Sequence, residues 1–170
     1  MLESLLRPIA RLPIGCVKAD QVRTASCVYK LCRVGAPLIE FEWIDPDFTE
    51  EFGGLPVSSY QRAHVAYYEL GENSADAPIL ASLGEGYAMP PIVWWNLLLF
   101  GQLSPEESHL RTDGDKTNGY NVCYALNKHG VLRAISTKRK EAGWIVSRWP
   151  TDAVEIWDAG CRIITLESVS

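Results

Sequence analysis

The sequence predicts an α+β fold, in which N-terminal helices and one early strand pack on a C-terminal antiparallel β-meander of about four strands. Two observations predict it: apolar residues recur at helical spacing in the first part of the chain, and short apolar or alternating segments separated by turn residues follow Tyr120. Helices followed by strands are typical of α+β domains. The 170 residues suit one domain, spanning 1–170.

The first two elements are expected to be helices. The apolar residues of the first recur at helical spacing: Leu2, Leu5, Leu6 and Ile9. Pro8 limits the length of this helix. A second helix is predicted from Asp20 to Arg33, before Gly35 and Pro37. Because β-branched residues are common there, a strand remains the alternative for residues 20–34.

A half-buried strand is predicted next, because Ile39, Phe41 and Trp43 alternate with Glu40 and Glu42. Asp45 and Pro46 end it.

The middle of the chain predicts three more helices. The first is capped by Ser58 or Ser59 and carries apolar and aromatic residues on one face: Tyr60, His64, Tyr67 and Leu70. After a loop-like stretch over 73–78, a buried helix begins at Pro90 or Pro91 and continues to Leu103. A short helix is expected to open at Ser104.

The last part of the chain predicts the meander. Its four strands are expected at Tyr120–Leu126, Val131–Ser136, Trp144–Trp149 and Cys161–Leu166. Turn residues connect the first three strands, at Asn127–Gly130 and Glu141–Gly143. The basic run at 138–140 is best explained as cations beside a hairpin turn.

Charge is distributed unevenly along the chain. Residues 1–33 carry a net charge of +4, residues 34–115 carry −12 and residues 116–170 carry +3, within a total of −5. The densest acidic run comprises Glu40, Glu42, Asp45, Asp47, Glu50 and Glu51. It is typical of a solvated strand followed by an acidic helix start, and it also suits a surface that meets a basic partner. The pI near 5.2 argues against nucleic-acid binding as the main activity.

Six tryptophans supply candidate anchors for a protein interface. Trp94 and Trp95 are consecutive, so they are expected to point in different directions. One is predicted to lie in the core, and we assign the partly exposed position to Trp95.

Five cysteines make an odd number in a chain too large to need cross-links. They are expected to be reduced thiols, mostly buried, in a cytoplasmic protein. The longest apolar stretch, 89–100, is too short for a membrane span, which needs about 20 residues. No membrane association is therefore expected.

No catalytic, cofactor-binding or metal-binding motif has the required spacing. Residues 113–119 resemble a calcium loop, but Asn118 stands where such a loop has glycine and Tyr124 where it has glutamate. Cys123 lies near the turn that carries His129, in a geometry that suits a core residue better than a nucleophile. No cofactor and no metal are expected.

Two functions of different classes remain open. The first is a non-enzymatic inhibitor, antidote or adaptor that binds another protein, one with a basic surface, through the acidic run and Trp95. The second is a small hydrolase or transferase whose site is assembled from scattered residues, with His64, His109 and His129 as candidates because histidine titrates near neutrality.

Overall fold

The computed structural model describes residues 4–14, 39–53, 55, 63–84, 87–112, 119–152 and 155–168. Within these ranges the chain forms nine strands and three helices. In chain order they are β1 (Leu6–Ile14), β2 (Phe41–Ile44), α1 (Pro46–Phe52), β3 (Ala63–Leu70), β4 (Ser74–Ala75), α2 (Asp76–Leu83), α3 (Pro91–Leu103), β5 (Asn121–Leu126), β6 (Leu132–Lys140), β7 (Gly143–Pro150), β8 (Ile156–Trp157) and β9 (Arg162–Ser168).

Seven of the strands form one mixed sheet in the order β1-β3-β9-β5-β6-β7-β2. Neighbouring strands are antiparallel except at two places, where β9 pairs with β5 and β7 pairs with β2 in parallel. The remaining strands, β4 and β8, form a separate antiparallel pair. The predicted fold class is therefore wrong, since the strands come from the whole chain and not from a C-terminal meander.

Two apolar clusters lie on opposite faces of the large sheet. On one face, which we call face A, the helices α1 and α3 cover alternate residues of the strands, including Val65, Ile135 and Trp144. On the other, face B, α2 and the β4–β8 pair cover residues such as Tyr124 and Ile163. The sheet is thus the middle layer of three, and its central strands are buried on both sides.

The first predicted helix is replaced by β1, which begins at Leu6. This strand contains Pro8 and Pro13, which lack a backbone N–H and disrupt a helix interior. Among the described strands, β1 is the outermost on its side of the sheet, and proline is tolerated at such an edge. The predicted helix over 20–33 lies outside the described residues.

The predicted helix with His64, Tyr67 and Leu70 is also wrong, because these residues belong to β3. β3 lies between β1 and β9, and it buries Val65 and Tyr67 on face A and Leu70 on face B. A strand buried on both faces reads as an apolar run without polar alternation, which conceals its period of two. Ser58, Ser59 and Tyr60 lie outside the described part of the chain.

The buried helix predicted from Pro90 or Pro91 to Leu103 is confirmed as α3. The short helix expected at Ser104 is instead a hydrogen-bonded turn, with the N–H groups of Glu107 and Ser108 donating to the Ser104 carbonyl. Residues 73–78, expected to be a loop, contain β4 and the start of α2.

The first three strands of the predicted meander are confirmed as β5, β6 and β7, which pair in antiparallel order. The fourth, β9, does not follow β7 in the sheet. It lies between β3 and β5, antiparallel to the former and parallel to the latter. None of the helices in the described part of the chain is both long and apolar enough to cross a membrane.

Candidate functional site

The acidic run lies along β2 and α1, at the edge of the sheet that ends in β2. Its position follows from local sequence: Asp45 follows β2 and caps α1, accepting a 2.9 Å hydrogen bond from the Asp47 N–H, and Pro46 opens the helix. Phe48 and Phe52 stack together on the buried side of α1. The carboxylates of α1 are therefore turned toward the basic ends of β6 and β7 or toward solvent.

Glu51 is a largely enclosed carboxylate of the run, with a side chain that is 15% exposed. Its Oε2 accepts hydrogen bonds of 2.7 Å from Arg133 Nε and 2.7 Å from Asn127 Nδ2, and its Oε1 lies 3.1 Å from Arg148 Nε. Its backbone carbonyl accepts a hydrogen bond from the N–H of Lys128. Through these hydrogen bonds and ion pairs, Glu51 connects α1 with β6, with β7 and with the turn between β5 and β6.

Burial acts to raise the pKa of Glu51, but the hydrogen bonds from Arg133 and Asn127 and the charges of Arg133 and Arg148 outweigh it, so the pKa lies below its ordinary value. Glu51 is accordingly held as a carboxylate in the folded protein. Its partners leave it little freedom to bind another molecule, and we assign it a structural role.

Two further carboxylates have arginine partners. Asp47 lies 2.9 Å from Arg148 Nη2, and Glu40 lies 3.2 Å from Arg139 Nη2. The Arg139 guanidinium also stands over the ring of Trp144, at 5.5 Å from its centroid. The side chains of Glu40 and Asp47 nevertheless stay well exposed, so each pair lies at the surface.

A β-bulge in β2 turns Trp43 outward. Phe41 pairs with Trp144 and Trp43 pairs with Ile145, so Glu42 is an extra residue between two consecutive positions of β7. Phe41 and Ile44 consequently face the core, while Glu42 is exposed and Trp43 is 48% exposed. The alternation predicted for this strand holds as far as Phe41 and is wrong at Trp43.

We call Glu40, Glu42 and Trp43 the edge patch. These residues lie on or directly before β2, the last strand of the sheet on this side within the described part of the chain, and exposed Asp47 and Glu50 follow on α1. The edge patch combines the large apolar ring of Trp43 with the carboxylates of Glu40 and Glu42. An aromatic anchor with a charged rim has this composition.

Trp95 is not at the surface, so its assignment as the exposed tryptophan is wrong. It is 5% exposed, and its ring makes T-shaped contacts with the rings of Phe41 and Phe48. Trp94 is buried as well, because α3 is enclosed on several sides and not along one face. One of these two consecutive tryptophans was expected to be partly exposed, but both are buried, and the exposed tryptophan is Trp43.

The three histidines do not meet one another. His64 is on β3, directly opposite Glu167 of β9, whose carboxylate accepts hydrogen bonds from Arg11 and Tyr68. The ring of His109 packs beside that of Tyr67, and His129 is exposed in the β5–β6 turn.

Cys123 and Cys161 are both buried, as predicted for core residues. Burial raises the pKa of the Cys123 thiol well above its ordinary value, which opposes thiolate formation. The other three cysteines lie outside the described residues.

Asp76, expected in a loop, is a buried carboxylate at the start of α2. It is 1% exposed, and its Oδ1 accepts hydrogen bonds of 2.6 Å from the Tyr124 hydroxyl and 2.8 Å from Trp157 Nε1. Its Oδ2 is buried without a partner among the described residues. Burial and the charge of Glu155 raise the pKa of Asp76 more than the two hydrogen bonds lower it. Asp76 therefore joins α2 to β5 and β8.

Within the described ranges, no group of three histidine, cysteine, aspartate or glutamate side chains is arranged to hold a metal ion. The loop that resembles a calcium site lies almost entirely in 113–118, outside those ranges. No protein-family model, no curated protein and no solved structure matches the chain.

Proposed function

We propose that this protein binds another protein, one with a basic surface, and that the edge patch is the contact. The proposal is of a non-enzymatic inhibitor, antidote or adaptor. The partner would offer an apolar hollow for the ring of Trp43, surrounded by lysine or arginine side chains that meet Glu40 and Glu42.

The exposure of Trp43 is the observation that carries the proposal. Burying a tryptophan ring in a partner removes a large apolar area from water, and tryptophan is enriched among the residues that dominate binding energy. The bulge at Glu42 fixes this exposure, because it rotates Trp43 out of the core while Phe41 and Ile44 stay inside.

The charge of the surrounding surface supports a basic partner. Six carboxylates lie in the run from Glu40 to Glu51, and three arginines pair with it, namely Arg133, Arg139 and Arg148. The six carboxylates of the run therefore outnumber the three arginines that pair with it. A contact surface with an excess of negative charge increases the encounter rate with a basic partner and disfavours acidic competitors.

A cytoplasmic location is part of the proposal. Its support is the odd number of cysteines, five, in a chain large enough to fold without cross-links, which is typical of proteins from a reducing compartment.

The test compares three immobilised proteins exposed to lysate of the native host: the wild type, the double variant Glu42→Lys/Trp43→Ala, and a matched control. The control, Leu103→Ala/Glu106→Lys, also removes one exposed apolar residue and reverses one exposed carboxylate, but at the last residue of α3 and in the turn that follows it. All three should show the same far-UV circular dichroism.

A protein retained by the wild type and the control, and lost from the edge-patch variant, would support the proposal. It should then be purified and its affinity measured by calorimetry at several salt concentrations, because binding to an acidic surface weakens as salt rises. An identical set of retained proteins on all three baits would contradict the proposed role of the edge patch.

A further inference from the structure

A cavity of about 220 Å³ lies between β1, β3 and α3 on face A, away from the edge patch. Its walls are mainly apolar: Val65 and Val93 are fully buried, and Leu97 is nearly so. Asn96 and Tyr67 are the polar residues among those that line it. A mostly apolar cavity with a few polar groups is the usual composition of a small-molecule site.

One end of the cavity is open to solvent. Pro13 on β1 is exposed, and Asn96 and Phe100 on α3 are partly exposed. A molecule could therefore enter between the end of β1 and the exposed side of α3, without separating the buried residues that form the far wall.

Tyr67 is one of the two polar residues that line the cavity. It is 1% exposed, and its hydroxyl has no hydrogen-bond partner among the described residues. Burial raises the pKa of Tyr67 above its ordinary value, against a smaller opposing effect of the charge of Arg162, so the hydroxyl keeps its proton and acts as a donor. A buried donor without an acceptor is unfavourable.

The size and walls of the cavity distinguish between water and an organic molecule. A buried water needs 2–4 polar partners, and an apolar space of about 150 Å³ is large enough to hold benzene. Here, most of the residues that line the larger cavity are apolar. No side chain of the lining residues carries a formal charge, which disfavours an ionic ligand.

We propose that this cavity binds a small neutral molecule that has one six-membered ring and one hydrogen-bond acceptor, and that the acceptor receives the hydrogen of the Tyr67 hydroxyl. The ring would occupy the space beside Val65, Val93 and Leu97. This site is independent of the edge patch and of the proposed protein partner.

Two probes of similar shape test the proposal: acetophenone, which has one carbonyl acceptor, and ethylbenzene, which has none. Each is titrated into the wild type and into Tyr67→Phe, with binding followed by ligand-observed NMR. We expect acetophenone to bind the wild type with a Kd on the order of 1 mM, a reasonable affinity for so small a ligand. Tyr67→Phe should weaken acetophenone about 5- to 10-fold and change ethylbenzene less than about twofold, since one hydrogen bond is removed.

A second variant fills the cavity. Leu12→Phe adds volume at a half-buried position on β1 that lines it, and Ile9→Phe is the matched control at an exposed position of the same strand outside it. Loss of both probes in Leu12→Phe and their retention in Ile9→Phe would place them in this cavity. The proposal is overturned if neither probe binds the wild type up to about ten times the expected Kd, if Leu12→Phe binds both normally, or if Tyr67→Phe binds acetophenone as the wild type does.

Discussion

Arg133 donates a 2.7 Å hydrogen bond from its Nε to Oε2 of Glu51, across the contact between β6 and α1. Glu51 was expected to face a partner protein, yet this bond and its other contacts direct it inward. Some carboxylates of the acidic run stabilise the fold, and others remain exposed. Substitutions at the exposed ones can test function, whereas substitutions at the others would only unfold the protein.

Glu51→Gln should destabilise the protein by about 1–3 kcal/mol, because Arg133 and Arg148 would lose the charge that compensates them. Urea denaturation at neutral pH measures this cost. Glu50→Gln is the control, because Glu50 is exposed on the same helix, and it should change stability by less than about 0.5 kcal/mol. Equal effects of the two substitutions would contradict the structural role of Glu51.

The same residue predicts an acid-sensitive component of stability. The pKa of Glu51 is lower in the folded than in the unfolded chain, so its contribution is present above the ordinary glutamate pKa, near 4.5, and is lost as the pH falls through the lowered folded value. The difference in unfolding free energy between wild type and Glu51→Gln should therefore shrink below about pH 4.5. A difference that stays constant down to about pH 2 would argue against this linkage.

Asp76 predicts the opposite dependence. Its pKa is raised in the folded protein, so ionisation favours the unfolded chain, and stability falls as the pH rises from the ordinary aspartate pKa of 3.8 through the raised value. Asp76→Asn cannot ionise and can still accept hydrogen bonds from Tyr124 and Trp157. Wild type should lose stability relative to this variant as the pH rises from about 4 to 7, measured by urea denaturation. A pH-independent difference would contradict the prediction.

Gly143 predicts a steric effect on the edge strand. It has a φ of 150°, and a Cβ there would lie 2.7 Å from the Glu40 carbonyl oxygen and 2.8 Å from the Glu42 nitrogen. Gly143→Ala should therefore cost about 2–4 kcal/mol and loosen β2 from β7. Gly130→Ala separates the steric clash from the backbone strain. Gly130 has a φ of 72°, and a Cβ added there would have nothing within 4 Å. Backbone strain alone should therefore cost about 1–2 kcal/mol in this variant. Thermal unfolding compares them; equal costs would remove the clash from the explanation.

Replacing Trp95 with alanine should destabilise the protein much more than replacing Trp43. Trp95→Ala removes a buried ring that contacts Phe41 and Phe48, and should cost about 3–5 kcal/mol. Trp43→Ala removes a ring that is 48% exposed and should cost less than about 1 kcal/mol. Chemical denaturation measures both. A large cost for Trp43→Ala would mean that its ring stabilises the fold and is not a free anchor.

Local chemistry was enough to predict part of the fold. Pro90 and Pro91 mark the start of α3, and the turn residues at 127–130 and 141–143 separate strands that pair with their neighbours in the chain. β9 shows the limit of such patterns: its partners, β3 and β5, are distant in sequence, and nothing within residues 162–168 specifies either of them.

The secondary structure of the acidic run was predicted, but the contacts of its side chains were not. The run lies on a strand and on the helix that follows it, as expected. The pairing of Glu51 with Arg133 depends on β6, which is more than 80 residues away. The outward turn of Trp43 depends on a bulge in its pairing with β7. Both are properties of tertiary contacts, which alternation of apolar and polar residues does not report.

The position of β9 has a consequence for the order in which the protein can be assembled during synthesis. Among the described strands, β9 is the last to leave the ribosome, and it is the element that joins the β1–β3 pair to the β5–β6–β7 group. Until it emerges, each group presents an open edge with unpaired backbone groups, which can attract another chain. This topology therefore requires that both open edges of the nascent chain be protected until β9 has been synthesised.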